Sequence, residues 1–110
     1  MAIYTFEAPT LLPMPDTPAG QKRLMRWLRD RLAAQGVETF GPLCDESGWR
    51  LAVNAEDGFV TIWLDPHGGG ERPFTLVVEA LGEADAEYED TVAAFEYAMS
   101  AARVGFDLTA

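Results

Sequence analysis

At 110 residues, with 48% hydrophobic and 24% charged residues, the chain has the size of one domain and enough apolar content for an ordinary core. Its 18 acids against 8 bases give a net charge of −10 and a pI near 4.3, which argues against direct binding to a phosphate backbone, since that needs clustered Lys and Arg. A single cysteine, Cys44, excludes an internal disulfide and a multi-cysteine metal site. The apolar runs are too short for a membrane span, and Met1-Ala2-Ile3-Tyr4 does not open like a signal peptide, so a cytoplasmic protein without membrane contact is expected.

The charge is unevenly placed. Residues 1–36 hold five bases (Lys22, Arg23, Arg26, Arg29, Arg31) against three acids, a net of +2, and residues 37–110 hold three bases against fifteen acids, a net of −12.

Ala2–Phe6 alternates and predicts a first strand. From Ala8 to Thr17 the chain is Pro-rich, with Pro9, Pro13 and Pro15, and Pro18 follows. It reads as a connector crossing the sheet edge rather than a recognition arm. Thr17 before Pro18 is a hydroxyl cap followed by a proline at the first helical position, so a helix is predicted to about Gln35, ending at Gly36. Leu24, Met25, Leu28 and Leu32 form its apolar stripe, and Lys22, Arg26 and Arg29 its solvated strip. Val37–Phe40 is expected as a short strand, and Leu43–Gly48 as a polar lead into the strands beyond it.

Residues 48–80 read as a three-stranded antiparallel meander. Trp49–Asn54 alternates apolar and polar, Phe59–Leu64 is rich in β-branched and aromatic residues, and Phe74–Glu79 comes after a loop over 65–73. Asp57-Gly58 is taken as the two-residue hairpin loop, which pairs Glu56 with Phe59, Val53 with Ile62, Leu51 with Leu64 and Ala52 with Trp63. Trp49, Leu51, Val53, Val60, Ile62 and Leu64 then share a core face. Arg50, Ala52, Asn54, Phe59, Thr61, Trp63, Thr75, Val77 and Glu79 share the other, with Trp63 over the small Ala52. A second helix is predicted from about Glu83 to Arg103, closed by Gly105, with Tyr88, Val92, Phe95, Met99 and Ala102 as its stripe. Phe106–Leu108 is read as a tail.

The order β-α-(β)-β-β-β-α predicts an α+β fold: a two-layer α/β sandwich with an antiparallel sheet of about four to five strands and both helices on one face. In that layer the basic first helix would neutralise the acidic second.

No constellation carries catalysis. His67-Gly68-Gly69-Gly70 matches an oxyanion-hole string in letters only, because no G-x-S-x-G nucleophile elbow accompanies it: Ser47 lacks the preceding glycine and Ser100 lies mid-helix. Cys44 with His67 and Asp45 or Glu46 has the residue types of a thiol nucleophile, but the nearby acids disfavour the thiolate. Asp65 with His67 leaves a metal shell mostly empty, and the acids of 83–90 lack the spacing of a calcium loop. No catalytic residue, metal or cofactor is expected.

What remains is the open sheet face, with Arg50, Phe59, Thr61, Trp63, Val77 and Glu79 as a candidate interaction surface. The reading is a small acidic, non-catalytic binding or adaptor protein that works through this open face or through its acidic surface, in its sharpest form an inhibitor or immunity-type protein for a basic protein partner. The alternatives are a homodimer joined through this face and, behind it, a small enzyme using Cys44 and His67.

Overall fold

The computed structural model describes residues 1–6, 18–46, 48–65 and 74–109. The Pro-rich connector, the Thr17 cap, Ser47 and the loop with His67 lie outside them. The element order is β1 (Ala2–Phe6), α1 (Pro18–Ala34), β2 (Phe40–Asp45), β3 (Gly48–Ala55), β4 (Gly58–Asp65), β5 (Phe74–Gly82), α2 (Asp85–Ala101) and β6 (Phe106–Thr109). The strands make one antiparallel sheet in the order β2-β3-β4-β5-β1-β6. The protein is therefore the expected α+β sandwich, with a six-stranded sheet.

One sheet face and both helices share a core. Tyr4 and Phe6 of β1, Leu51 of β3, Ile62 and Leu64 of β4, and Leu76 and Val78 of β5 are buried with Leu24, Met25, Leu28 and Leu32 of α1 and Phe95 and Met99 of α2. Burying such side chains contributes about 1.5–3 kcal/mol each, which is what holds the helices to the sheet. The inward face of α2 is rotated from the predicted stripe. Thr91, Ala94, Phe95, Ala98 and Met99 are its buried residues, while Tyr88, Val92 and Ala102 are only partly covered. Thr91 is accommodated there because its Oγ1 donates to the Glu87 carbonyl at 2.7 Å, satisfying the hydroxyl within the helix.

Both helices end in the same way. Gly36, at φ 84, follows α1; its N–H donates to the Ala33 carbonyl and that of Val37 to the Leu32 carbonyl. This is a Schellman closure, and it turns Val37 back onto Leu32 in the core instead of starting a strand. The second strand consequently begins at Phe40, later than the Val37 start expected from sequence. At the end of α2 the N–H groups of Arg103 and Val104 donate to the Ser100 and Met99 carbonyls. The left-handed position falls on Arg103, at φ 57, and not on Gly105.

The hairpin between β3 and β4 has a different register from the one predicted. Ala55 pairs with Gly58, so the loop is Glu56-Asp57, and Val53 faces Val60, Leu51 faces Ile62 and Arg50 faces Trp63. The glycine of Asp57-Gly58 serves β5 rather than the turn. Gly58 pairs with Gly82, and a Cβ at Gly58 would collide with the Leu81 carbonyl oxygen. A shift of two residues leaves each side chain on its predicted face but gives it a new partner. Trp63 therefore stands beside Arg50, and Ala52 is opposite Thr61.

Phe106–Thr109 is not a free tail: it pairs with β1 along Phe6↔Phe106 and Tyr4↔Leu108. The ring of Phe106 meets Tyr4 edge-on at 5.5 Å, which gives the short strand an aromatic anchor.

Candidate functional site

Both helices lie on one face of the sheet, and among the described residues no element packs on the other. Alternation assigns its residues. Across the strands run the rows Phe40, Ala52, Thr61, Glu79; Leu43, Arg50, Trp63, Val77, Ile3; and Asn54, Phe59, Leu81. All six residues expected on this surface lie on it. Thr61 is the most enclosed, at 4% exposure, and its Oγ1 has no hydrogen-bond partner among the described residues.

Three residues that sequence reasoning left out are more exposed than most of those it chose. Phe40 (58%), Leu43 (57%) and Leu81 (39%) stand on this face with Phe59 (40%), making four of the seven large hydrophobics exposed among the described residues. Leu81 continues the alternation Val77, Glu79, and that signal was available once β5 was allowed to run to Gly82. Phe40 and Leu43 carried no such signal. They reach the same face only because a bulge at the cis Gly41–Pro42 peptide adds a residue between them.

The bases are held away from this face. Five lie on α1 and Arg103 closes α2, so Arg50 is the base of the face among the described residues. Its Nη2 pairs with Asp45 Oδ2 at 3.1 Å, and its guanidinium carbon lies 5.6 Å from the centroid of Trp63. By register Asp45, Asp65, Glu79 and Asp107 share the face, giving it an acid excess. Beside Trp63 is a hollow of about 350 Å³, lined by Trp63, Leu64, Asp65, Val77 and Glu79.

The basic strip of α1 is partly engaged inside the protein. Lys22 Nζ lies 5.8 Å from the Trp49 ring, Arg31 lies 5.5 Å from that of Trp27, and Arg29 Nη1 donates to the Gly41 carbonyl at 3.3 Å. Arg29 also pairs with its neighbour Asp30 at 3.2 Å. Among the described residues no ion pair joins α1 to α2, so the neutralisation expected between the helices is not made by direct contact.

Cys44 is exposed on the edge strand, and its Sγ lies 3.8 Å from the Asp45 carbonyl. No group of three His, Cys, Asp or Glu side chains among the described residues is placed to hold a metal ion. No helix among them is long and apolar enough to cross a membrane. Two further hollows, of about 470 and 390 Å³, adjoin the end of α1 and share Gly36, Val37 and Asp90. Glu38 and Glu87 add to the acidic wall of the smaller one. Comparison with protein-family models, curated proteins and solved structures finds no match to this chain.

Proposed function

We propose that this is a small acidic binding protein that holds a basic protein partner on its open sheet face. The observation that carries the reading is the concentration of Phe40, Leu43, Phe59 and Leu81 on the face that keeps a single described base against four acids. Exposed aromatic and aliphatic anchors inside a charged rim are the composition of a protein interface. An acid excess speeds encounter with a cationic surface and rejects anionic ones. An inhibitor or immunity-type role, masking the basic surface of its partner, fits this chemistry.

Self-association through the same face is less well supported, because pairing the face with itself sets one acid excess against another. The test is affinity capture from the native extract with wild type, Phe59→Glu and Arg26→Glu. Capture of a basic protein that is lost with Phe59→Glu and kept with Arg26→Glu supports the sheet face. Loss with Arg26→Glu alone would move the site to the helix layer.

A further inference from the structure

Within the open face one position differs from the rest. Phe40, Leu43, Phe59 and Leu81 are separate exposed side chains, whereas the hollow beside Trp63 joins an aromatic ring, an aliphatic wall and carboxylates. We infer that this hollow takes the guanidinium of an arginine side chain supplied by the basic partner, an inference that rests on the function proposed above. It goes further in assigning one residue type to one place.

The Trp63 indole already has one cation beside it, Arg50 from β3 at 5.6 Å. The described residues that line the hollow come from β4 and β5, whereas Arg50 reaches the indole from β3. A planar guanidinium entering there can stack on the ring and extend its N–H fork toward Glu79, while its methylenes lie along Val77. Thr61 stands directly opposite Glu79. Thr61 is itself enclosed and does not line the hollow, so among the described residues Glu79 and Asp65 are the polar side chains that border it. The volume of about 350 Å³ lies at the small end of the roughly 300–1,000 Å³ typical of ligand pockets, which suits one side chain better than a larger ligand. Arginine is favoured over lysine because an ammonium is more strongly hydrated and cannot match a carboxylate with two parallel hydrogen bonds.

The experiment is an NMR titration of the whole chain, following the three indole N–H signals. The probes are a blocked tripeptide with one arginine between glycines and its lysine and citrulline counterparts. The arginine peptide is expected to shift the Trp63 signal saturably and leave Trp27 and Trp49 in place. Lysine should bind more weakly, and the isosteric but uncharged citrulline should not bind. Glu79→Gln should weaken the arginine peptide by about tenfold or more. Equal movement of all three indoles, no movement of Trp63, or undiminished binding to Glu79→Gln would overturn the inference. The citrulline arm reads the charge requirement without any substitution. The two proposals fail separately. A partner lost with Phe59→Glu but captured undiminished by Glu79→Gln removes the arginine site and leaves the face standing. A partner kept by Phe59→Glu removes the face, and the titration still reads the hollow alone.

Discussion

The guanidinium of Arg50 lies 5.6 Å from the centre of the Trp63 ring while its Nη2 holds Asp45 at 3.1 Å. The arrangement ties the edge strand β2 to β4 across β3. Both partners of the ion pair are more than a third exposed, so screening keeps its contribution small. Arg50→Ala is expected to cost about 0.5–1 kcal/mol, most of it from the ring contact. Urea unfolding measures this, and a cost above about 2 kcal/mol would mean that the pair is far better shielded than its exposure implies.

The matching helix ends provide an internal comparison. Gly36 and Arg103 occupy the same left-handed position of two Schellman closures, at φ 84 and φ 57. A side chain there costs about 1–2 kcal/mol, which Arg103 bears and Gly36 avoids. Arg103→Gly is expected to stabilise the fold by up to about 1 kcal/mol, part of the gain being offset by the freer unfolded chain. Gly36→Ala, with open space around its Cβ position, should cost about 1 kcal/mol. Thermal unfolding of the two variants should move in opposite directions.

Gly82 is expected to be the least replaceable of the described glycines. It combines φ 73 with a Cβ position that collides with the Asp57 carbonyl oxygen. That same oxygen accepts from the Glu83 N–H at 2.8 Å, so the strand cannot move aside without losing the bond. Gly82→Ala should cost about 2–4 kcal/mol, clearly more than Gly36→Ala, by the same measurement.

Tyr4 is fully enclosed between Phe95 and Phe106, and its hydroxyl has no hydrogen-bond partner among the described residues. Burial first, and then the nearby Glu96 carboxylate and Tyr88, push its pKa well above the ordinary 10.0. The neutral phenol is present in both folded and unfolded chains below that value. Above it the unfolded chain releases a proton that the folded one keeps, so stability is intact below about pH 10 and falls as the pH rises further. Tyr4→Phe should change stability by no more than about 1 kcal/mol at pH 8, because the enclosed hydroxyl that it removes makes at most a weak contact with the Glu96 carboxylate. It should also flatten the decline above pH 10. Urea midpoints at pH 8 and 10.5 check both, and an unchanged decline would assign the effect to other groups.

Oligomeric state separates the two uses of the open face. The acid excess predicts that wild type scatters light as a monomer at low ionic strength. A dimer that disappears with Trp63→Glu would transfer the face to self-association.

Two helices with apolar stripes, a meander with period-2 alternation and an acidic balance were legible in the sequence, because each depends on local spacing alone. Faces were legible for the same reason: a register error of two residues returns every side chain to its own side. Partners were not. Only the packed sheet decides that Gly58 meets Gly82, because that requirement comes from a strand more than twenty residues away. With it Trp63 gains Arg50 as neighbour instead of Ala52. Phe106–Thr109 becomes a strand only because β1 offers it an unpaired edge. The bulge that sets Phe40 and Leu43 on the open face is likewise a product of pairing. Burial patterns are written along the chain, whereas the composition of a surface depends on which strands lie side by side.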